Sequence, residues 1–205
     1  MNAPWQPLLD WWFGAAGCGT GVTAAEVAAS RTALWFGKQD SQDEQAREQF
    51  GALVEQALAG QLHDRQGEPE GWLATLLLLD QLPRMIFRDT PRAFAGDLLA
   101  RPLALHGLAQ GWDQQLPPVQ RVFTYLVLEH AEDLALQDQA VQLFQVLREQ
   151  AVAAEHGLFA DYLDYAVRHQ QVIARFGRFP NRNQILGRTS STEESAFLLE
   201  PGSRF

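Results

Sequence analysis

The stretch Trp72-Leu-Ala-Thr-Leu-Leu-Leu-Leu-Asp-Gln-Leu-Pro-Arg-Met-Ile-Phe-Arg88 reads as a helix that is apolar for two turns and then abruptly charged. Leu73, Leu76 and Leu77 share one face, and Asp80 continues that face one turn past Leu76. Pro83 lacks an N–H and its ring crowds the preceding turn, so it ends or kinks a helix expected over 69–81. Arg84 and Arg88 follow Asp80 at successive i+4 steps. A carboxylate on a half-buried face stays ionised when an arginine lies beside it. Asp80 with Arg84 is therefore either a salt bridge fixing the turn at Pro83 or part of a charged site.

Outward from this stretch the same 3.6-residue periodicity recurs, and no segment alternates polar and apolar long enough for a strand. Helices are expected at about 5–13, 23–35, 41–59, 69–81, 91–110, 118–130, 134–154, 157–176 and 191–199, with Pro102 kinking the fifth. Three starts carry capping boxes, in which a hydroxyl accepts from the backbone and a glutamate reaches back: Thr23 with Glu26, Ser41 with Glu44, Ser191 with Glu194. Gly60 and the polar segment from His63 to Pro69 close the third helix, and Gly177 stops the eighth. No composition shift marks a boundary, so residues 1–205 read as one all-α domain of about nine helices.

The 205 residues are 46% hydrophobic and 20% charged, the make-up of an ordinary globular chain. With 25 acidic against 16 basic side chains the net charge is -9, which opposes general nucleic-acid binding. The longest apolar run, Trp72–Leu79, is far below the roughly 20 residues of a membrane span. One cysteine, Cys18, cannot form an internal disulfide. Asp10 interrupts the first apolar stretch and no basic segment precedes it, so a signal peptide is not expected and a cytoplasmic location is.

Two more helices carry charge on apolar faces. Val119, Val122, Phe123 and Leu126 form a buried stripe that Glu129 and His130 extend, with Glu132 and Asp133 directly after. A buried carboxylate without a partner is costly, so arginines should lie near. Tyr162, Tyr165, His169, Ile173 and Phe176 form the stripe of the long helix 157–176. From Arg168 to Arg188 there are five arginines and no acid, enough to focus an anion or to pair with the protein's own carboxylates. Metal binding is not expected. Glu129 and His130 are adjacent, about 100° apart around the helix, and no i, i+3 or i, i+4 Glu–His or His–His pattern occurs. The glycine-rich stretch Gly14–Gly21 lacks phosphate-loop spacing, and no cofactor is implied.

Three ordered segments carry a resemblance. They are Leu79-Asp80-Gln81-Leu82-Pro83-Arg84 through Arg88 with Ala93–Asp97, then Leu128-Glu129-His130-Ala131-Glu132-Asp133-Leu134, then Arg175-Phe176-Gly177-Arg178-Phe179-Pro180-Asn181-Arg182-Asn183 with Leu186-Gly187-Arg188. With Leu34–Gly37 and the Ser191–Glu194 cap, they resemble the bacterial DUF924 family of uncharacterised proteins over nearly the whole chain. The resemblance implies antiparallel helix pairs in a tetratricopeptide-like superhelix and implies no activity. Asn181 stands where the family usually has histidine, Met85 where it has asparagine, and Ala131 where it has serine, so position 181 is given no catalytic role.

The three motifs are expected to converge on a charged cleft that binds a small anionic molecule or an acidic peptide. Asp80, Arg84, Arg88, Glu132, Arg178, Arg182, Asn183 and Arg188 are the candidate ligand-binding residues. The alternative is an enzyme with His130 or His169 as the acid–base group, Glu129 or Asp80 as its orienting carboxylate, and an arginine clamp on a small anionic substrate. Within the arginine-rich segment, Arg182 is assigned to the ligand and Arg175 to an internal latch. Nucleic acid and membrane are not expected as partners, and a homo-oligomer is left open.

Overall fold

A computed structural model of the chain describes residues 3–15, 21–62 and 67–203. Cys18, most of the glycine-rich connector and His63 lie outside the described residues. Among those described, every regular element is helical: α1 Gln6–Phe13, α2 Ala24–Phe36, α3 Asp40–Leu58, α4 Pro69–Leu76, α5 Leu82–Ile86, α6 Asp97–Ala109, α7 Pro118–Glu129, α8 Leu134–Gln150, α9 His156–Phe176 and α10 Thr192–Phe197. A π-helical turn, Leu77–Gln81, joins α4 to α5 without a break, so the run counts as one helix from Pro69 to Ile86.

That π turn corrects the expectation for Pro83. The proline does not end the helix; it follows directly on the π turn, as the second residue of α5. The widened turn lets the Leu82 N–H donate to the Leu77 carbonyl, five residues back. In an unbroken α register the carbonyl facing Pro83 would be that of Leu79. Gly96 packs against it so closely that an added Cβ would lie 2.0 Å from the Leu79 oxygen.

The Thr23–Glu26 and Ser191–Glu194 capping boxes both form. The Ser41–Glu44 box does not. Helix α3 begins one residue earlier with Gln39 as its N-cap, which puts Ser41 inside the helix, and Glu44 pairs with Arg47 instead. Asp40 and Asp43 supply the first-turn negative charge that suits a helix N-terminus. The helix expected over 91–110 divides at Ala95–Gly96, after a 3₁₀ turn at Pro91–Phe94, and Pro102 sits inside α6. Tyr165 is exposed; the buried line of α9 runs through Phe159, Ala166, His169 and Ile173.

Two segments are buried on every side, Gly71–Pro83 and Val119–Glu129. Helix α7 packs on α2, α4, α6, α8 and α9. Helices α6 to α9 pack in series, and the further contacts of α7 with α2, α4 and α9 make it a hub. Phe123 of α7 meets the rings of Trp12, Phe13 and Trp35 at 5.4, 5.3 and 4.8 Å, and the Trp35 indole N–H donates to the Trp12 carbonyl at 3.0 Å. The charged ends of the two buried helices thus lie deep in the molecule.

Gly96→Ala is expected to lower stability by about 2–3 kcal/mol, since backbone rather than a flexible side chain meets the new methyl. Gly51→Ala in α3, whose Cβ would find only the Arg47 side chain at 3.9 Å, should instead stabilise by about 0.5–1 kcal/mol. Urea midpoints of the two variants check both signs.

Candidate functional site

Asp80 is the centre of the arrangement. It sits in the π turn with 1% of its surface exposed. Its carboxylate lies 3.1 Å from Arg84 Nη1, accepts from the Gln81 amide, and has both oxygens 2.9 Å from His130 Nδ1. Burial raises the carboxyl, but Arg84 and His130 outweigh it and hold Asp80 well below the usual carboxylate range. An ionised carboxylate only accepts, so His130 Nδ1 carries the hydrogen and Nε2 the lone pair. Burial lowers the proton affinity of His130, against the pull of Asp80. His130 is the C-cap residue of α7 and keeps 17% of its side chain exposed. Gln137 of α8 donates to the main-chain carbonyls of Glu129 and Ala131 and so fixes this helix end.

Among the described residues Glu129 meets no arginine. Its Oε1 lies 3.0 Å from His169 Nδ1 of α9, and that nitrogen is also 2.9 Å from the Tyr165 carbonyl, so it carries a hydrogen. Burial and the Asp80 charge push Glu129 up to about 8, and burial pushes His169 down to about 3. At neutral pH the couple is a carboxylic acid beside a neutral imidazole. The imidazoles of His130 and His169 are 6.4 Å apart between ring centroids.

Arg84 reaches a second carboxylate, Asp97 in the first turn of α6, at 3.0 Å. Arg182 approaches the same carboxylate at 3.5 Å from the far side of the sequence. The Arg182 guanidinium lies between the rings of Phe94 and Phe179, 4.8 and 4.4 Å from their centroids. It is 8% exposed, and burial and the neighbouring Arg84 lower it to about 10.

The remaining candidates lie around this centre, held by other partners. Arg188 grips Glu132 through two nitrogens at 2.6 and 2.9 Å, and Glu132 also accepts from the Phe179 N–H. Asn183, buried, accepts from Arg188 and donates to Ser190. Arg178 pairs with Glu194 of α10 at 2.6 Å, Arg175 with Glu193, and Arg88 with Asp43 of α3 at 2.6 Å. The structure therefore brings together Asp80, Arg84, Glu129, His130, His169 and Arg182. It turns Arg88 toward α3 and Arg178 toward α10. Arg175 latches the last helix, not Glu129, Glu132 or Asp80.

Sequence reasoning passed over Asp97, Phe94 and Phe179 as site members. Asp97 carried a signal: it is the acid that closes the first motif, 13 residues after Arg84. Nothing local marks Phe94 and Phe179 as a guanidinium sandwich, because they come from segments 85 residues apart. No group of three His, Cys, Asp or Glu side chains among the described residues is arranged to hold a metal ion. Two half-open hollows of about 330 and 440 Å³ lie elsewhere, one beside Leu62, Leu79 and Leu103, the other beside Phe176 and Phe197.

Residues from all three motifs, Asp80 and Arg84, Glu129 and His130, and Arg182, thus share one centre. The family model described as "Bacterial protein of unknown function (DUF924)" matches residues 8–202. The chain belongs to the DUF924 family. A solved structure of a protein of unknown function from Agrobacterium tumefaciens is 35% identical, with a TM-score of 0.72 over 86% of this chain and 98% of that one. No curated protein matches. No helix among the described residues of this DUF924 chain is long and apolar enough to cross a membrane.

The opposite shifts of Glu129 and His169 give a pH signature. Glu129 is raised above its unfolded value of 4.5, so its contribution to stability is complete below that pH and is lost as pH rises through about 8. His169 is lowered from 6.5, so its contribution is complete above that pH and is lost as pH falls toward about 3. Glu129→Gln replaces one neutral group by another of the same shape. Its urea midpoint should stay near the parent's at pH 4 and exceed it by a margin that grows from pH 4.5 to about pH 8.

The latch is separable from the centre. Arg188→Met should cost about 1–3 kcal/mol, the worth of charge-assisted hydrogen bonds to a half-buried Glu132. Arg175→Met, which loses only an exposed pair, should change stability by less than about 0.5 kcal/mol. Thermal melting of both variants in one buffer checks the contrast.

Proposed function

We propose that the protein binds a small anion at Arg84 and Arg182. The observation that carries this reading is the state of Arg182. A guanidinium has five N–H donors, yet this buried one makes a single long hydrogen bond among the described residues, 3.5 Å to Asp97. Asp97 is itself shared with Arg84. Two aromatic rings fix the plane of the Arg182 fork, so its donors are preorganised for an oxyanion at little entropic cost. The burial of Asp80, Glu129 and Arg182 favours a small ligand over an acidic peptide, which needs an accessible groove.

A second reading, acid–base chemistry on that anion, draws on the Asp80–His130 couple. A buried carboxylate that orients a partly exposed neutral imidazole is the arrangement of a general base. Glu129, protonated nearby, would be the matching acid, because two carboxyls held in opposite states supply both roles.

Phosphate at moderate ionic strength should raise the melting temperature of the parent protein, by a stabilisation that grows with the logarithm of one plus ligand concentration over Kd. Arg182→Met should abolish that rise while leaving the melting temperature without phosphate unchanged or slightly higher. Strong destabilisation by Arg182→Met together with no phosphate effect on the parent would assign the residue to the latch instead.

A further inference from the structure

We infer that anion binding at this site is proton-linked: each anion enters together with about one proton, which His130 holds. The inference rests on the anion-binding reading and adds the regulation of that site by pH. It starts from the charges that the ion pairs bring together. Arg84 lies 3.1 Å from Asp80 and 3.0 Å from Asp97, and Arg182 lies 3.5 Å from Asp97. Two guanidiniums therefore face two carboxylates. The flanking pair of Arg188 with Glu132 adds one charge of each sign, and Glu129 with His169 is a neutral couple. These charges cancel before any ligand arrives. Asp80, Asp97 and Arg182 are all buried, so little water is at hand to offset the charge that an anion adds.

A proton is the compensating charge, and the geometry selects its carrier. The arginines already carry theirs. Asp97 lies between two guanidiniums and Asp80 beside one, and a neighbouring cation disfavours protonating a carboxylate. Glu129 is already a neutral acid, and His169, with that neutral acid for its partner, is held far below neutral pH by burial. His130 differs, because both oxygens of an ionised carboxylate lie 2.9 Å from its Nδ1. With 17% of its side chain exposed, it is also within reach of solvent protons. Its Nδ1 and Arg84 Nη1 contact the same oxygen, Asp80 Oδ1, at 2.9 and 3.1 Å. The two nitrogens are thus at most about 6 Å apart, a range over which charges interact strongly inside a protein. Burial, then the positive charges of Arg84 and Arg182, keep the free ring neutral against the pull of Asp80. An anion on the two guanidiniums cancels their repulsion and leaves the pull of Asp80 in place. The other groups near the ring are Glu129 of its own helix and His169 of α9, 6.4 Å away between centroids. Asp97 of α6 is bonded to the guanidiniums, α8 contributes the uncharged Gln137, α2 keeps Glu26 in its own cap, and Glu70 of α4 is exposed.

Sulfate is the probe, because it stays fully ionised near neutral pH and brings no proton of its own. Titration calorimetry of the full chain at pH 7 and fixed ionic strength, in two buffers of different ionisation enthalpy, counts the protons taken up. The uptake should approach about one proton per sulfate, and the affinity should fall by up to about tenfold per pH unit above the pKa of the free ring. The sign follows from the extra proton in the complex: raising the pH withdraws it and weakens binding. The imidazole ¹⁵N signals of His130 should change from those of a neutral ring to those of an imidazolium as sulfate is added. His130→Gln offers Asp80 an N–H but cannot ionise, so it should bind sulfate without uptake and with an affinity that does not vary with pH. Arg182→Met should erase binding, and the NMR readout on the parent stands whether or not His130→Gln folds. Sulfate binding without proton uptake, lost in Arg182→Met, would overturn the linkage and leave the anion reading intact. Uptake that persists in His130→Gln, or a ring that stays neutral in the complex, would remove His130 from the role. No sulfate binding while phosphate still stabilises the protein would overturn this inference alone, since the proton would then arrive on the ligand. No effect of either anion would overturn both readings.

Discussion

A carboxylate with 1% of its surface exposed is the constraint from which the charged half of this protein follows. Removing such a group from water costs several kcal/mol unless it is paired and fully hydrogen-bonded. Asp80 meets that requirement with three donors, one from its own helix one turn on, one from its neighbour Gln81, and one from the end of α7. Arg84 in turn needs a second acid, which the start of α6 provides as Asp97. Gly96 matters because it lets that start approach the π turn closely enough to deliver the carboxylate. The π turn and the proline after it are thus one device: they keep the helix continuous while placing Asp80 and Arg84 against two other helices.

The centre tolerates one fully buried anion where α7 meets the π turn. Asp80, held ionised by Arg84 and His130, repels charge on Glu129 next to it and leaves that residue a neutral acid. His169 accommodates this state by staying neutral itself, its Nδ1–H directed at both the Glu129 oxygen and the Tyr165 carbonyl. Two carboxyl–imidazole couples therefore stand side by side in opposite protonation states, set by environment and not by residue type. That asymmetry lends the centre chemical interest beyond ion pairing.

The C-terminal segment closes over the centre through contacts of unequal depth. Glu132 is the pivot, since it holds both the Arg188 guanidinium and the Phe179 main chain. Phe179 then meets the His169 ring in a T-shaped contact and carries the Arg182 guanidinium over its own ring. Further out, Arg178 ties the same segment to the buried Glu194 of α10, and Arg175 ties it to the exposed Glu193. The five arginines between Arg168 and Arg188 accordingly have different tasks, and only Arg182 is turned into the centre.

The sequence by itself determined the helical class, most helix limits, two of the three capping boxes and the three charged motifs, because these rest on local spacing of apolar side chains and on chain-local hydrogen bonds. It also pointed to Asp80 with Arg84, a pair one helical turn apart. Only the tertiary structure decided that Glu129 meets His169 instead of an arginine, that Pro83 is absorbed by a π turn, and that Asp97, Phe94 and Phe179 complete the centre. The physical reason is distance along the chain. Helical periodicity states which face a side chain lies on, but the partner across that face comes from another helix, and the protonation state of a buried acid depends on every charge brought near it by folding.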